Sequence, residues 1–97
     1  MIFTVLAKNH IGTLLRIAGL FSRRGFNIES IVAFRTKDPL YTRIDILTNG
    51  DDETLAQITR QLLKLEDVVQ VDMLPPDQAD TNYTETFSKT HFRGDEQ

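Results

Sequence analysis

Cysteine and tryptophan are absent from this chain of 97 residues, and histidine occurs only twice. Without cysteine the protein forms no disulfide, thiolate metal site or cysteine nucleophile. No apolar run approaches the roughly 20 residues that a membrane-spanning helix needs, and from the pattern of the first residues we expect no signal peptide. Basic residues are also few, since 11 Lys and Arg stand against 14 Asp and Glu, whereas nucleic-acid-binding domains usually have a strongly basic face. We therefore expect a cytoplasmic protein with no nucleic-acid and no membrane partner.

The acidic excess lies entirely in the last quarter of the chain. Residues 1–74 carry nine basic and nine acidic groups, while residues 75–97 carry two and five and account for the net charge of −3. Apolar residues are also sparse after the proline pair at positions 75 and 76, and they follow no helix or strand period. We predict one folded domain over residues 1–75 and a polar acidic tail, disordered on its own, over residues 76–97.

Hydrophobic periodicity predicts six elements in the order β-α-β-β-α-β. They are a strand over 2–8, a helix over 13–24, a strand over 26–35, a strand over 40–48, a helix with apolar residues Leu55, Ile58, Leu62 and Leu65, and a strand marked by Val69, Val71 and Met73. Both helices have the length of a right-handed crossover. The order therefore predicts an α+β fold of the ferredoxin-like type, in which two helices cover one face of a four-stranded antiparallel sheet.

Local signals place the helix ends. For the first helix we expect Thr13 as the N-cap, Gly25 as the stop, and an apolar stripe at Leu14, Ile17, Ala18 and Phe21. For the second helix the run 49–52, which is Asn-Gly-Asp-Asp, supplies the N-cap.

No pattern in the sequence indicates catalysis or RNA binding. The two histidines belong to no Ser/His/Asp set and no metal-ligand spacing. A small phosphatase of this fold would need an arginine in a glycine-rich loop after the first strand, and residues 8–12 contain none. An RNA-recognition motif would need aromatics on the third strand, which has only Tyr41. We therefore predict no catalytic residues and no metal site.

The loop after the first strand is the best candidate for a ligand site. Gly12 lies where the chain enters the first helix, so that a ligand could approach backbone N–H groups at the positive end of the helix dipole. Asn9 offers an amide to an ammonium or a carboxylate, and Asn27, which opens the predicted second strand, is expected near the same end of the sheet. The alternative is that Asn9 and Gly12 are turn residues and Asn27 is a polar residue at a strand entry.

The second strand is predicted to lie at a sheet edge and to pair with another chain. It contains no proline and is apolar on both faces, with Val32 and Phe34 on one and Ile31 and Ala33 on the other. A homodimer through this strand and the first helix would also enlarge the core of a domain of only about 75 residues.

Two runs of residues resemble a known family. Residues 9–14 read Asn-His-Ile-Gly-Thr-Leu, and residues 19–30 read Gly-Leu-Phe-Ser-Arg-Arg-Gly-Phe-Asn-Ile-Glu-Ser. They resemble the small regulatory subunit of acetohydroxyacid synthase, also called acetolactate synthase, whose amino-terminal part is an ACT domain. The similarity continues through residues 36–39, Arg43 and Ile44, and ends with Gly50, Asp51 and the run 61–68, so that it covers about 75 of the 97 residues. Longer members carry a second domain, which residues 75–97 do not resemble.

The resemblance implies an ACT domain that dimerises side by side and holds valine between protomers. The effector positions of the family fall on Asn9, Gly12 and Asn27. N–H groups from Gly12 to Leu14 would bind the carboxylate, and an apolar wall would select a small branched side chain. The residues expected at this site are Asn9, Ile11, Gly12, Thr13, Leu14, Asn27 and Ile28.

The leading hypothesis is a regulatory subunit that activates the catalytic large subunit of acetolactate synthase and transmits feedback inhibition by valine or another branched-chain amino acid. The thiamine diphosphate, magnesium and FAD of this chemistry would belong to the catalytic partner, and this chain would have no cofactor of its own. The alternative is a stand-alone amino-acid-binding ACT module that regulates a different partner. A third reading is an assembly module that dimerises and binds no small molecule.

Overall fold

A computed structural model describes residues 1–75, and the predicted acidic tail at 76–97 lies outside these described residues. The elements are β1 (Ile2–Lys8), α1 (Thr13–Arg24), β2 (Ser30–Arg35), β3 (Tyr41–Leu47), α2 (Asp52–Leu63) and β4 (Val68–Leu74). The predicted β-α-β-β-α-β order is therefore confirmed. No helix within residues 1–75 is long and apolar enough to cross a membrane.

The four strands form one antiparallel sheet in the order β2-β3-β1-β4. The register pairs Val5 with Ile44 and Phe3 with Ile46 at the centre of the sheet. Since β1 and β2 are both antiparallel to β3, they run in the same direction. β2 lies at one edge of the sheet, as predicted, and β4 lies at the other.

Both helices pack on one face of the sheet around a single core. The core consists of Phe3, Val5 and Ala7 of β1, Ile44 and Ile46 of β3, Ile17, Leu20 and Phe21 of α1, and Leu55, Ile58 and Leu62 of α2. This arrangement confirms the ferredoxin-like fold and the places of Leu55, Ile58 and Leu62 on the buried face of α2. Leu65, the fourth residue predicted for this helix, packs against the core but follows the end of α2 at Leu63.

The start of α1 differs from the prediction. The N-cap is Gly12 in the left-handed conformation, with φ of 87°, and Thr13 is the first helical residue with its side chain buried. The buried stripe therefore runs from Thr13 through Ile17 to Leu20 and Phe21, whereas Leu14 remains 42% exposed. In contrast, α2 begins as predicted, because the side chain of Asp51 accepts a hydrogen bond from the backbone of Thr54 at 2.8 Å.

The second strand begins four residues later than predicted. Residues 26–29 connect α1 to β2, and Phe26 packs edge-on against Phe21 with 6.0 Å between ring centroids. Ile28 is half-buried against the core as well. Phe26 and Ile28 alternate with the exposed residues Asn27 and Glu29, as residues of a strand would. They are apolar because this connection packs against the core, although it is not part of the sheet.

A β-bulge changes which residues of β4 face the core. Leu6 pairs with Gln70 but Ala7 pairs with Val68, so that Val69 is an extra residue on β4. Val68 and Val71 consequently pack against the core, while Val69, predicted to mark the strand, is exposed. Met73, also predicted to mark it, pairs with Phe3 on the core face of the sheet but is 42% exposed on this edge strand.

The face of the sheet away from the helices holds a buried ion pair. Asp45 is only 1% exposed, and its carboxylate accepts hydrogen bonds from Arg43 Nε at 3.1 Å and Arg43 Nη2 at 2.7 Å. The Arg43 guanidinium also lies 4.8 Å from the centre of the Phe34 ring. The carboxylate of Asp45 raises the pKa of Arg43 further above its ordinary value.

Candidate functional site

The start of the loop between β1 and α1 is fixed by two backbone hydrogen bonds. The N–H of Lys8 donates to the carbonyl of Asp67 at 2.8 Å, and the N–H of Asn9 donates to that of Leu40 at 2.8 Å. The chain then turns at Gly12, where a side chain would be strained by the positive φ and would approach Arg16 Nη1 at 3.3 Å. A glycine is therefore required where the loop enters α1.

The positive end of α1 opens onto this loop. Of the three backbone N–H groups from Gly12 to Leu14, that of Thr13 already donates to the carbonyl of His10 at 3.1 Å. The N–H groups of Gly12 and Leu14 have no hydrogen-bond acceptor within residues 1–75. They are the groups that an anionic part of a ligand could use, aided by the helix dipole.

Asn9 lies between two surface grooves. One groove, of about 550 Å³, extends along residues 33–37 to Tyr41 and Thr42, and the other, of about 230 Å³, lies between His10 and Leu40. Asn9 Nδ2 donates a long hydrogen bond of 3.4 Å to the carbonyl of Pro39. Its side-chain oxygen accepts no hydrogen bond from residues 1–75, so it remains available to a donor such as an ammonium group.

A polar cluster behind the loop was not predicted from the sequence. The carboxylate of Asp67 lies 3.0 Å from His10 Nδ1 and 3.2 Å from Thr13 Oγ1, and it accepts a further hydrogen bond from Arg16 Nη2. Thr13 Oγ1 also lies 2.9 Å from the carbonyl of Lys8 and accepts from the N–H of His10 at 3.2 Å. The only signal in the sequence was the place of Asp67 in a run shared with the family.

The cluster keeps Asp67 charged. The hydrogen bond from Arg16 holds the pKa of the Asp67 carboxyl below its ordinary value, and the bonds from His10 and Thr13 act in the same direction, against the opposing effect of desolvation. The side chain of Asp67 is 11% exposed, while those of His10 and Arg16 are 61% and 51% exposed. The carboxylate of Asp67 is therefore largely shielded from solvent, and the more exposed side chains of His10 and Arg16 lie between it and the solvent.

The cluster contains a threonine, a histidine and an aspartate but lacks the geometry of a nucleophile and its base. Both His10 and the Thr13 hydroxyl bond to Asp67, and no hydrogen bond joins the His10 ring to that hydroxyl. Within residues 1–75 no three acidic or histidine side chains are grouped so as to hold a metal ion. The arrangement can shape a loop and bind a small polar ligand.

The structure does not bring Asn27 to the loop, and the expectation that Asn9 and Asn27 share one end of the sheet is wrong. Asn27 precedes β2 and its carbonyl accepts a hydrogen bond from the Thr48 hydroxyl, beside the start of β1. Asn9 follows the end of β1. Since β1 and β2 run in the same direction, the length of a seven-residue strand, about 20 Å, separates the two asparagines in one chain.

The remaining predicted residues divide between these two ends. Ile11 is fully exposed on the loop, and Leu14 is partly exposed on the first turn of α1. The side chain of Thr13 points into the polar cluster instead of toward solvent. Ile28 lies at the Asn27 end. The predicted ligand-binding residues of one chain thus form two half-sets at opposite ends of the sheet. One half-set consists of Asn9, Ile11, Gly12, Thr13 and Leu14, and the other consists of Asn27 and Ile28.

The βαββαβ sandwich with a glycine loop at the start of α1 is the architecture of an ACT domain. Solved structures with this fold include the crystal structure of the acetolactate synthase small subunit from Thermotoga maritima, with a TM-score of 0.71, 40% identity, and coverage of 77% of this chain and 47% of that chain. The ACT domain of GTP pyrophosphokinase from Chlorobium tepidum has a TM-score of 0.61 at 23% identity, over 75% of this chain and 94% of that chain, and shares the fold.

A family model described as the AHAS small subunit-like ACT domain matches residues 3–70. Similar curated proteins include the probable acetolactate synthase small subunit of Methanothermobacter thermautotrophicus, 48% identical over 75 residues, and the small subunit of acetolactate synthase isozyme 3 of Escherichia coli, 49% identical over 73 residues. These matches cover 77% and 75% of this chain and 45% of each relative. The chain belongs to the family of AHAS small subunit-like ACT domains and spans about half the length of the relatives that it matches.

Proposed function

We propose that this chain is a non-catalytic regulatory subunit of acetolactate synthase, which activates the catalytic large subunit and mediates its feedback inhibition by valine. The observation that carries the proposal is the family match over residues 3–70, which includes the whole glycine loop and the Asn27 run. Thiamine diphosphate, magnesium and FAD would reside on the catalytic subunit in the cytoplasm. This chain would bind the catalytic subunit and the effector and would supply no catalytic residue.

The proposed assembly begins with a homodimer through β2 and α1. On α1, successive residues are 100° apart around the helix axis, so Leu14 and Ala18 lie on the flank opposite Arg16. Arg16 faces Asp67 beside β4, and the Leu14 flank therefore faces the β2 edge. Ala33 of β2 is exposed on the same face of the sheet, which leaves room for a second protomer.

A dimer of this kind would unite the two half-sets. If a two-fold axis perpendicular to the sheet pairs the two β2 edges, the strands of the two protomers run antiparallel. The start of β2 in one protomer then lies beside the end of β2 in its partner. Asn27 of the partner subunit would thereby approach Asn9 and Gly12, which a single chain cannot achieve.

The chemistry of such a site suits a free branched-chain amino acid. The N–H groups of Gly12 and Leu14 at the positive end of α1 would bind the α-carboxylate, and the side-chain oxygen of Asn9 would accept from the ammonium group. Leu14, Ile11 and the partner's Ile28 would contact the aliphatic side chain. Inhibition further requires that valine bind the two states of the enzyme unequally, by about 1–3 kcal/mol.

The test is calorimetric titration of the full chain with valine, leucine and isoleucine. We expect saturable valine binding that Asn9→Ala and Asn27→Ala each weaken at least tenfold, or about 1.4 kcal/mol. Asn49→Ala is the matched control, because Asn49 is an exposed asparagine at the Asn27 end of the sheet. No heat with any of the three amino acids would refute the effector role.

The same titration is paired with an assay of acetolactate formation by the catalytic subunit. Activation by the chain and inhibition by valine, lost together with binding in Asn9→Ala, support the full proposal. Valine binding without any effect on acetolactate formation would indicate the stand-alone ACT module that regulates another partner. Activation without valine binding would indicate the assembly module.

A further inference from the structure

We propose that Asp67 is a positioning residue for the ligand-binding loop, which it holds in the shape needed for the effector through His10, Thr13 and Arg16. The inference rests on the proposed function of the loop and extends it to a residue that is 51 to 57 positions away in the sequence but contacts the loop directly. Asp67 lies between α2 and β4, and β4 is the sheet edge opposite the proposed dimer edge.

Every polar side chain from His10 to Arg16 converges on this one carboxylate. His10 lies before the turn, Thr13 opens α1, and Arg16 follows one turn later, so the three contacts surround Gly12 in the sequence. The backbone of Asp67 adds a fourth connection, since its carbonyl accepts from the N–H of Lys8 at 2.8 Å. Both the entry to the loop and its exit are thus tied to the same residue.

The loop has few other means of keeping its shape. Asn9, His10 and Ile11 are all exposed, and within residues 1–75 the remaining hydrogen bonds of this stretch to other parts of the chain go to Pro39 and Leu40. Arg16 lies over Gly12, as its Nη1 is 3.3 Å from where a Cβ on Gly12 would be. A loop ordered before binding loses less conformational entropy when the ligand arrives.

The ion pair with Asp67 also determines what Arg16 does in the proposed site. The Arg16 guanidinium lies close to Gly12 at the start of α1, where a ligand carboxylate is proposed to bind. Because Arg16 is paired with Asp67, its charge is already neutralised within the domain. The geometry instead leaves the carboxylate to the backbone of Gly12 and Leu14, with Arg16 acting through the loop.

The test compares Asp67→Asn with Asp72→Asn in the full chain. Asparagine keeps the shape of the side chain but removes the charge that binds Arg16, and Asp72 is an exposed carboxylate on β4 bonded to Gln70. Amide hydrogen exchange without ligand is followed at Lys8, Asn9 and Thr13. The reference amides are Glu29 and Thr48, which are hydrogen-bonded at the other end of the sheet.

We expect Asp67→Asn to accelerate exchange at the loop amides at least tenfold, to leave the reference amides within threefold, and to raise the valine Kd at least fivefold. Asp72→Asn should change none of these values. Unchanged loop exchange in Asp67→Asn would overturn the proposal, and so would faster exchange with an unchanged valine Kd. If wild-type chain binds no valine, the proposed function fails, and the exchange result then decides whether Asp67 orders the loop.

A second pair of variants tests the proposal in case Asp67→Asn does not fold. Thr13→Val removes the hydroxyl that contacts Asp67 and Lys8, whereas Thr13→Ser retains it. We expect valine binding to weaken in Thr13→Val and to recover in Thr13→Ser. Equal affinities in the two variants would contradict a positioning role for the cluster.

Discussion

Replacement of Arg43 by methionine tests how strongly the buried charge on the open face of the sheet depends on its partner. The carboxylate of Asp45 receives two hydrogen bonds from Arg43, and Asp45 is only 1% exposed. Methionine preserves much of the aliphatic length of arginine but donates no hydrogen bond. The variant therefore leaves a carboxylate in a poorly hydrated position with neither a cation nor these two donors.

The size of the loss follows from the burial of the two partners. Removal of one member of a buried ion pair costs about 3–5 kcal/mol. The side chain of Arg43 is 42% exposed, so water can reach part of the space that it vacates and the cost falls toward the lower limit. Loss of the contact with the Phe34 ring adds about 0.5–1 kcal/mol. We expect Arg43→Met to lower the free energy of unfolding by about 3.5–4 kcal/mol.

Urea unfolding at pH 7, followed by circular dichroism, measures this quantity. Arg35→Met is the matched control, because Arg35 is an exposed arginine on β2 that forms no ion pair within residues 1–75, and we expect it to stay within about 0.5 kcal/mol of wild type. The double variant Arg43→Met/Asp45→Leu should recover most of the loss, since no buried charge remains. A single variant Arg43→Met as stable as the control would refute the reasoning.

Three further predictions concern other parts of the fold. Gly25→Ala should lower the free energy of unfolding by about 1–2 kcal/mol, measured in urea, because φ is 71° there although space for a methyl group is open; an unchanged midpoint would contradict it. Thr48→Val should cost about 1–3 kcal/mol in the same assay, because the buried Thr48 hydroxyl donates to the Asn27 carbonyl, and Thr48→Ser should cost less. The difference in free energy of unfolding between wild type and Asp67→Asn should be present at pH 6 and should shrink as the pH falls below about 4. The reason is that the pKa of Asp67 is lowered in the folded state, so this residue stabilises the fold only while its carboxyl is ionised. A difference independent of pH between 6 and 2 would contradict this assignment.

Periodicity predicted the elements well wherever burial alone decides which residues are apolar. The core side chains of α2 and the central strands lie where a period of 3.6 or 2 places them, and those assignments were confirmed. The predictions were wrong where another interaction outweighed the pattern. Phe26 and Ile28 are apolar because a connection packs on the core, and Val69 faces outward because a bulge shifts the alternation of β4.

The candidate site was predictable only in its local part. Asn9 and Gly12 stand within four residues of each other, and a turn before a helix brings them together in any fold of this order. The distance from Asn9 to Asn27 depends on strand direction, and the polar cluster joins residues 51 to 57 positions apart. Neither relation has a period or a spacing that a single sequence displays, so Asp67 was missed and Asn27 was misplaced.

The common direction of β1 and β2 also has a consequence for measurements at low concentration. A ligand as small as an amino acid cannot span the length of β1, so one that contacts both Asn9 and Asn27 must contact two chains. Mass action then couples effector to assembly: dilution of the protein weakens apparent binding, and the effector in turn opposes dissociation of the dimer. A ligand held by the loop alone would give the same binding curve at every protein concentration.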